Sequence, residues 1–188
     1  MNKVEQVIAR LEAMPKQGES YDHKGRHGWA NPIRSDTGPL LEALVMACQP
    51  KRVLEIGTAH GLSGCYIGRR LPHSGFMVSI EWDEVRATEA QANFDEAGLL
   101  VKVLNGDAMQ IIPTLQRSFD MVFMDANKDG YLEQIQKLQE FRLLASHCLI
   151  VADNVTDRQK ECQNFLDWMN EYPHIILETE CGLLVGRI

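Results

Sequence analysis

The sequence predicts an α/β fold: a seven-stranded, mostly parallel sheet that ends in an antiparallel hairpin, with helices on both faces. Strand-length apolar runs alternate with stretches of helical spacing through most of the chain after residue 50. The last two runs, His174–Glu180 and Gly182–Ile188, are joined too closely for a crossover helix and should pair as a hairpin. Right-handed connections between the parallel strands place helices on both faces, which makes the predicted fold Rossmann-like.

Residues 51–188 supply five strand–helix units and the hairpin. The expected strands are Val53–Ile56, Phe76–Glu81, Val101–Leu104, Met121–Asp125 and Cys148–Ala152. The expected helices are Leu62–Leu71, Asp83–Ala97, Ala108–Leu115, Gly130–Leu144 and Arg158–Tyr172. Most of these strands are nearly continuous apolar runs, as expected for strands buried on both faces.

Residues 1–50 are expected to add two helices and a loop to the same domain. Apolar residues recur at helical spacing in Asn2–Met14 and in Thr37–Cys48, and Asp36 or Thr37 can cap the second helix. Pro15–Ser35 is polar and contains a local basic cluster, so we expect a loop there and consider it a candidate lid over the core. All 188 residues then form one domain.

The composition excludes several classes of function. A net charge of -7 and a pI near 5.4 argue against a nucleic-acid-binding surface. The longest apolar runs are strand-length, and none resembles a membrane span or a signal peptide. The five cysteines include no C-x-x-C pair and lie mostly in apolar stretches, as in reduced proteins of the cytoplasm. We therefore expect a cytoplasmic protein without nucleic-acid or membrane partners.

The turn after the first strand, R-V-L-E-I-G-T-A-H-G-L-S-G, is the feature that most clearly predicts a ligand. Gly57 and Gly61 form a glycine turn between a buried strand and a helix, as in nucleotide-binding α/β units. Ala59 replaces the second glycine of a pyrophosphate-binding turn, and Glu55 places a carboxylate beside it. Ala59 argues against a nicotinamide dehydrogenase, as does the lack of an acid pair for hydride transfer, and the carboxylate of Glu55 suits a ligand that is not an anion at that point. An ordinary strand-to-helix turn is the alternative.

Polar residues follow the other parallel strands at the edge of the sheet where ligands bind. Glu81 ends the second strand, where a carboxylate can accept hydrogen bonds from both ribose hydroxyls. The third strand ends in Gly106-Asp107-Ala108, which can offer an acceptor and a backbone amide to the edge of a ligand.

The fourth and fifth strands end in three oxygen donors, Asp125, Asp153 and Asn154. Carboxylates brought together repel one another, and a divalent cation offsets that repulsion. Oxygen ligands favour Mg²⁺, Mn²⁺ or Ca²⁺ over zinc. Lys128 follows Asp125 by three residues, and a nearby metal ion would disfavour its ammonium form, which suits a general base. The alternatives are that Asp153 caps a helix and that Lys128 is a surface lysine.

The chain resembles the cation-dependent O-methyltransferases, which include catechol and caffeoyl-CoA O-methyltransferases. The matching segments, spread over Trp29–Val155, are V-L-E-I-G-T-A-H-G-L-S, S-I-E-W-D, G-D-A, F-D-M-V-F-M-D-A-N-K-D-G-Y and V-A-D-N-V. The pattern D-A-x-K-x-x-Y together with D-N is specific to the metal-dependent branch, whereas the glycine motif alone is not.

The resemblance implies S-adenosylmethionine (SAM) as methyl donor, S-adenosylhomocysteine as product, and Mg²⁺ or a similar divalent cation. The residues it implies for donor binding are Ile33, Glu55, Gly57, Gly61, Ser63, Glu81, Trp82, Asp107, Ala108 and Asp125. It further implies Asp125, Asp153 and Asn154 as metal ligands, Lys128 as the catalytic base and Tyr131 as a supporting residue. The implied acceptor is a small phenolic molecule of catechol type, and the family suggests a homodimer.

Three departures from the family pattern concern the acceptor pocket. The segment Thr156–Pro173 is short, Ala145-Ser146-His147 replaces a glycine pair, and Leu184 replaces a pocket carboxylate. We therefore expect a more open pocket, or one completed by another subunit. The candidate wall residues are His27, Trp29 and Trp168.

Two alternative functions stay open. One is a methyltransferase of the same fold that acts on a larger natural-product or macromolecular acceptor. The other is a non-enzymatic metabolite-binding module, which the metal ligands and the base disfavour because binding alone needs neither.

Overall fold

The computed structural model describes residues 2–14 and 32–188, together with the backbone of residues 17–21 and 27–30. The α-helices are α1 (Lys3–Glu12), α2 (Thr37–Cys48), α3 (Leu62–Gly68), α4 (Glu84–Ala97), α5 (Ala108–Ile111), α6 (Tyr131–Glu140) and α7 (Gln159–Met169). The strands are β1 (Gln17–Tyr21), β2 (His27–Ala30), β3 (Arg52–Ile56), β4 (Phe76–Glu81), β5 (Val101–Asn105), β6 (Phe119–Met124), β7 (Leu144–Ala152), β8 (His174–Leu177) and β9 (Leu183–Arg187). Two 3-10 turns occupy Ile112–Thr114 and Lys128–Gly130.

The main sheet has seven strands in the order β5-β4-β3-β6-β7-β9-β8. Strands β3 to β7 are parallel, and β9 lies antiparallel between β7 and β8. This confirms the predicted mixed sheet and its C-terminal hairpin. Strands β4 and β5 lie on one side of β3, whereas β6 and β7 lie on its other side. The direction in which successive strands are added therefore reverses between β3 and β6. In open α/β sheets, ligands bind at the carboxyl ends of strands beside such a reversal.

Apolar clusters on both faces of the sheet hold the fold together. Val53 of β3 belongs to the cluster that contains Phe94 of α4, whereas its neighbour Leu54 belongs to the cluster that contains Tyr131 and Phe165. Successive side chains of a strand point to opposite faces, so β3 is buried on both. This confirms the prediction from its continuous apolar sequence.

The boundary of the sixth helix differs from the predicted Gly130–Leu144. Helix α6 ends at Glu140, and Arg142 turns the chain with a φ of 54°. Strand β7 then begins at Leu144 instead of Cys148, but His147 interrupts it with a φ of 60°. The pairing with β6 shifts register across this point. The sequence did not predict residues 144–147 of this strand, because the left-handed residue His147 separates them from the apolar run that begins at Cys148.

Other predicted helices are shorter in the structure, because their last turns are not α-helical. The helix expected over Leu62–Leu71 ends at Gly68, and the one expected over Ala108–Leu115 passes into a 3-10 turn that contains Pro113. The helix expected over Arg158–Tyr172 spans only α7 and is kinked at Cys162.

The prediction of a loop over Pro15–Ser35 is wrong for two short segments, because β1 and β2 pair antiparallel there. These strands are short and mainly polar, so they lack the apolar alternation that would have marked them.

Asp36 occupies the cap position of α2, but its carboxylate instead accepts a hydrogen bond from the Glu180 N–H at 2.8 Å. Among the described residues, no helix has the length and apolar character to cross a membrane.

Candidate active site

A crevice of about 650 Å³ lies at the carboxyl ends of the parallel strands, in the size range of small-molecule sites. Most of the residues predicted to bind a ligand line it. They are Ile33, Gly57, Ser63, Glu81, Trp82, Asp107, Ala108, Asp125, Lys128, Asp153 and Asn154. The fold therefore brings together side chains from five strand ends and from the segment that precedes α2.

Glu55 does not line this crevice but lies fully buried beneath the glycine turn. The Ser63 hydroxyl donates to Glu55 Oε1 at 2.5 Å, and the Ser79 hydroxyl donates to Oε2. Burial raises the pKa of Glu55 to about 8; the two serine bonds oppose this shift, and Asp125 and Glu81 reinforce it. Through these two hydrogen bonds, Glu55 links the first turn of α3 to β4. Ser63 also lines the crevice.

Replacing Glu55 by Gln should flatten the pH dependence of stability in the ligand-free protein. The folded chain keeps the Glu55 proton up to about pH 8, while the unfolded chain loses it near the ordinary value of 4.5. The folded state binds more protons in that window, so the free energy of unfolding falls as pH rises, by up to about 1.4 kcal/mol per pH unit. Urea unfolding across the window measures the slope. The exposed Glu84→Gln is the control and should keep the wild-type slope. An unchanged slope in Glu55→Gln would contradict the prediction.

Close packing fixes the glycine turn against its neighbours. Gly57 has a φ of 99°, and a Cβ there would lie 2.5 Å from the Asp125 carbonyl oxygen. Gly61, which does not line the crevice, has a φ of 92°, and a Cβ there would lie 2.9 Å from the ring of Phe94. Both positions require glycine because of the backbone conformation and the close approach. The turn therefore lies directly against the end of β6.

Glu81 is buried at the end of β4 and holds the turn from the other side. Its carboxylate accepts hydrogen bonds from the Ala59 N–H at 2.9 Å, the Asp83 N–H at 3.1 Å and Arg86 Nε at 3.3 Å. Trp82 is half-buried beside it. A carboxylate has about four acceptor positions, so these three bonds leave it the capacity to accept a ligand hydroxyl.

Two carboxylates, the half-buried Asp125 and the buried Asp153, lie together at the ends of β6 and β7. Burial, followed by the charge of Asp125, raises the pKa of Asp153 to about 7, and Asp153 Oδ1 has no hydrogen-bond partner among the described residues. Burial also raises the pKa of Asp125, opposed by Lys128, whose Nζ donates to Asp125 Oδ1 at 2.7 Å. An unpaired buried oxygen beside a second carboxylate is what a bound cation would satisfy.

Asn154 lines this end of the crevice, and the fully buried Tyr131 lies behind it. Asn154 Nδ2 donates to both carboxylate oxygens of Asp157 at 3.2 Å, and these bonds do not use its amide oxygen. The Tyr131 hydroxyl lies 2.8 Å from the Met124 carbonyl and 3.1 Å from the Asp153 carbonyl, so it bridges the ends of β6 and β7. Tyr131 therefore fixes the backbone that carries both carboxylates.

The predicted cation ligands are two carboxylates and one amide. Within residues 2–14 and 32–188, no three His, Cys, Asp or Glu side chains are grouped closely enough to hold a metal ion by themselves. The amide oxygen of Asn154 is therefore needed as the third protein donor.

The wall residues expected for the acceptor pocket are only partly described. Trp168 does not line the crevice, because it packs against Phe165 and Tyr172 with ring centroids 6.5 and 4.7 Å away. The side chains of His27 and Trp29 lie outside the described residues. The structure instead adds lining residues that the sequence did not indicate: Arg34, Gln134, Asp157, Arg158 and Glu161. No motif marked them, although Asp157 follows the D-N pair closely.

Comparisons with known proteins identify the family of the chain. A family model described as O-methyltransferase matches residues 21–164. The catechol O-methyltransferase of Niastella koreensis is 40% identical over 129 residues, which are 65% of this chain and 58% of that protein. The catechol O-methyltransferase of Mycobacterium tuberculosis is 36% identical over 126 residues, which are 65% of this chain and 56% of that protein. The chain thus spans less than two thirds of the length of these relatives.

A solved structure supports the same relationship. The O-methyltransferase TomG from Streptomyces achromogenes, involved in tomaymycin synthesis and solved in complex with SAM, matches with a TM-score of 0.78 and 25% identity. The match covers 100% of this chain and 90% of that one. The family model also covers most of the chain, including every strand end that lines the crevice. The chain therefore belongs to the O-methyltransferase family.

Proposed function

We propose that this chain is a SAM-dependent O-methyltransferase that methylates one hydroxyl of a small catechol-type acceptor in the presence of Mg²⁺. The observation that carries the proposal is the carboxylate pair Asp125 and Asp153 beside Lys128, in the same crevice as Glu81. A site that only binds the donor would need neither paired carboxylates nor a lysine. The catechol O-methyltransferases among its relatives support the same reaction.

The part of the crevice formed by β4 and β5 suits the nucleoside end of SAM. Glu81 can accept hydrogen bonds from ribose hydroxyls, and the half-buried ring of Trp82 can pack on adenine. Asp107 and Ala108 follow β5 and can contact the edge of the base. Ile33 and Ser63 lie where the methionine end would bind, beside the glycine turn.

Asp125, Asp153 and Asn154 would hold the cation. The unpaired Asp153 Oδ1 and an all-oxygen donor set fit Mg²⁺. Bound Mg²⁺ would supply positive charge that stabilises a developing oxyanion on a catechol and orients its two vicinal oxygens.

Lys128 is placed to take the proton from the acceptor hydroxyl. Its side chain is 11% exposed, and its Nζ is held by Asp125, so it is oriented at the wall of the crevice. Lys128 Nζ donates to Asp125 Oδ1 in the structure, and the form that accepts the proton of the acceptor hydroxyl is the neutral amine. The acceptor oxygen then forms a bond to the methyl carbon, and the S–CH₃ electron pair passes to sulfur to give S-adenosylhomocysteine.

Methyl-labelled SAM with 3,4-dihydroxybenzoic acid tests the proposal. We expect a labelled monomethyl ether with Mg²⁺, loss of product with EDTA, and recovery when Mg²⁺ is added in excess. The matched acceptor 4-hydroxybenzoic acid lacks the vicinal oxygen and should stay unmethylated. Equal turnover with EDTA would contradict the role of the metal.

A larger acceptor is the second candidate. The crevice is flanked by Asp157 and Glu161, which are exposed and leave its side open. Methylation of a larger scaffold without turnover of any dihydroxybenzoate would favour this candidate. The net charge of -7 disfavours a nucleic-acid acceptor.

Replacing Glu81 by Gln should weaken SAM binding and leave metal binding intact. The variant loses a charged acceptor for ribose, and hydrogen bonds to charged groups contribute about 1.5–3 kcal/mol, or roughly 10–100-fold in affinity. Calorimetric titration with SAM measures the change, and the exposed Glu84→Gln on α4 is the control. If SAM affinity is unchanged in Glu81→Gln, Glu81 does not bind the ribose of SAM.

A further inference from the structure

The turn between β8 and β9, residues 178–182, supports the loop that carries Asp153 and Asn154. Three backbone N–H groups of the segment 155–157 donate to carbonyl groups of this turn: Val155 to Gly182 at 3.1 Å, Thr156 to Cys181 at 3.0 Å and Asp157 to Cys181 at 3.3 Å. The residues directly after the predicted cation ligands are thus bonded to a distant part of the chain.

Gly182 determines how closely the two segments approach. Its φ is 77°, and a Cβ at this position would lie closest to Thr156 Oγ1, and 2.6 Å from Thr156 Cβ and 2.9 Å from Thr156 N. Real Cβ atoms do not approach so closely, so any side chain at 182 would push the segment 155–157 away from the turn. Asn154 itself has a φ of 63°, a left-handed conformation that asparagine adopts more readily than most other non-glycine residues.

The same turn also contacts the segment that precedes α2. Arg34 Nε donates to Cys181 Sγ at 3.2 Å, and Arg34 Nη1 lies 3.4 Å from Glu180 Oε1. The Glu180 N–H donates to Asp36 Oδ2 at 2.8 Å. Arg34 also lines the crevice, so the turn connects two of its walls.

We propose that Gly182 is a positioning residue for the cation site, because it lets the segment 155–157 pack against the β8–β9 turn and so sets the place of Asp153 and Asn154. The inference rests on the proposed function, since it assigns a role toward the cation. Gly182 touches no reacting group, and its effect passes through the backbone of Thr156.

Two glycine variants separate this role from backbone strain. Gly182→Ala and Gly98→Ala both place alanine at a left-handed position, with φ values of 77° and 71°, but a Cβ at 98 meets nothing within 4 Å. We expect Gly182→Ala to bind Mn²⁺ at least about tenfold more weakly than Gly98→Ala, the effect seen when support around metal ligands is lost. Electron paramagnetic resonance of free Mn²⁺, with saturating S-adenosylhomocysteine, measures this. SAM affinity should change equally little in both variants.

Amide hydrogen exchange gives a readout that needs no metal. Exchange of the 155–157 amides should be faster in Gly182→Ala than in Gly98→Ala. In the double variant Gly182→Ala/Thr156→Gly, the contacts of the new methyl group with Thr156 Oγ1 and Cβ are gone and only the approach to the backbone N of residue 156 remains. Mn²⁺ affinity should therefore recover most of the way to that of Gly98→Ala, and the chain should fold even if the single variant does not.

Three outcomes would overturn the inference. Equal Mn²⁺ affinity in Gly182→Ala and Gly98→Ala would remove the positioning role alone. No recovery in the double variant would do the same. Failure of the wild-type protein to bind Mn²⁺ would remove the proposed cation site and this role with it.

Discussion

Asp153→Asn should abolish Mg²⁺-dependent methyl transfer without unfolding the protein. The substitution removes the charge of a proposed cation ligand whose Oδ1 has no hydrogen-bond partner in the described part of the chain. We expect Mn²⁺ affinity to fall by at least about 100-fold, the upper end of the effect of residues that only support ligands. Because burial beside Asp125 already raises the pKa of Asp153 to about 7, the neutral amide should leave the thermal stability of the ligand-free protein equal or higher.

Loss of activity with equal or higher thermal stability would show that Asp153→Asn acts on the site and not on folding. Differential scanning calorimetry without metal, and initial rates across Mg²⁺ concentrations, measure them separately. Asp167→Asn on the exposed face of α7 is the matched control and should change neither. Full activity of Asp153→Asn with EDTA present would show that the carboxylate holds no catalytic cation.

Lys128→Met should lower kcat by about 10²–10⁴-fold, the contribution of a positioned general base. Methionine keeps the length of the side chain but cannot accept a proton. SAM affinity should stay unchanged because Lys128 contacts Asp125 and the ring of Tyr131, not the part of the crevice near Glu81. Single-turnover rates with saturating SAM isolate the chemical step.

The pH profile distinguishes loss of a base from loss of structure. The rise of kcat/KM with pH that a general base produces should be present in the wild-type protein and absent from the residual activity of Lys128→Met. Lys137→Met on α6, which removes a lysine paired with Glu140, should keep the wild-type profile. A profile that survives in Lys128→Met would assign the proton transfer to another group.

The sheet and the residues at its strand ends could be predicted because they follow from local sequence. A buried parallel strand is a continuous apolar run, and the residue where that run stops lies at the ligand-binding edge of the sheet. Glu81, Asp125 and Asp153 were all found in this way, and each lines the crevice.

The contacts that hold these residues in place could not be predicted in this way, because their partners are far apart in sequence. Arg34 and Cys181 are separated by 147 positions, and neither belongs to a motif. For Glu55, the sequence indicated the position of the residue but not the direction of its side chain. Its place in the motif suggested a ligand contact, but full burial and the bonds from Ser63 and Ser79 place it beneath the turn. Sequence position identifies the strand end, whereas packing decides which way its side chain faces.

The most direct test of the central claim is the nuclear relaxation of the SAM methyl group by bound Mn²⁺. If the donor and the cation share the crevice between Glu81 and Asp153, Mn²⁺ should strongly increase the relaxation rate of that methyl group in the wild-type protein and not in Asp153→Asn. Mg²⁺, which is diamagnetic, should displace Mn²⁺ and remove the effect. SAM and Mn²⁺ that both bind without enhanced relaxation would contradict a shared active site.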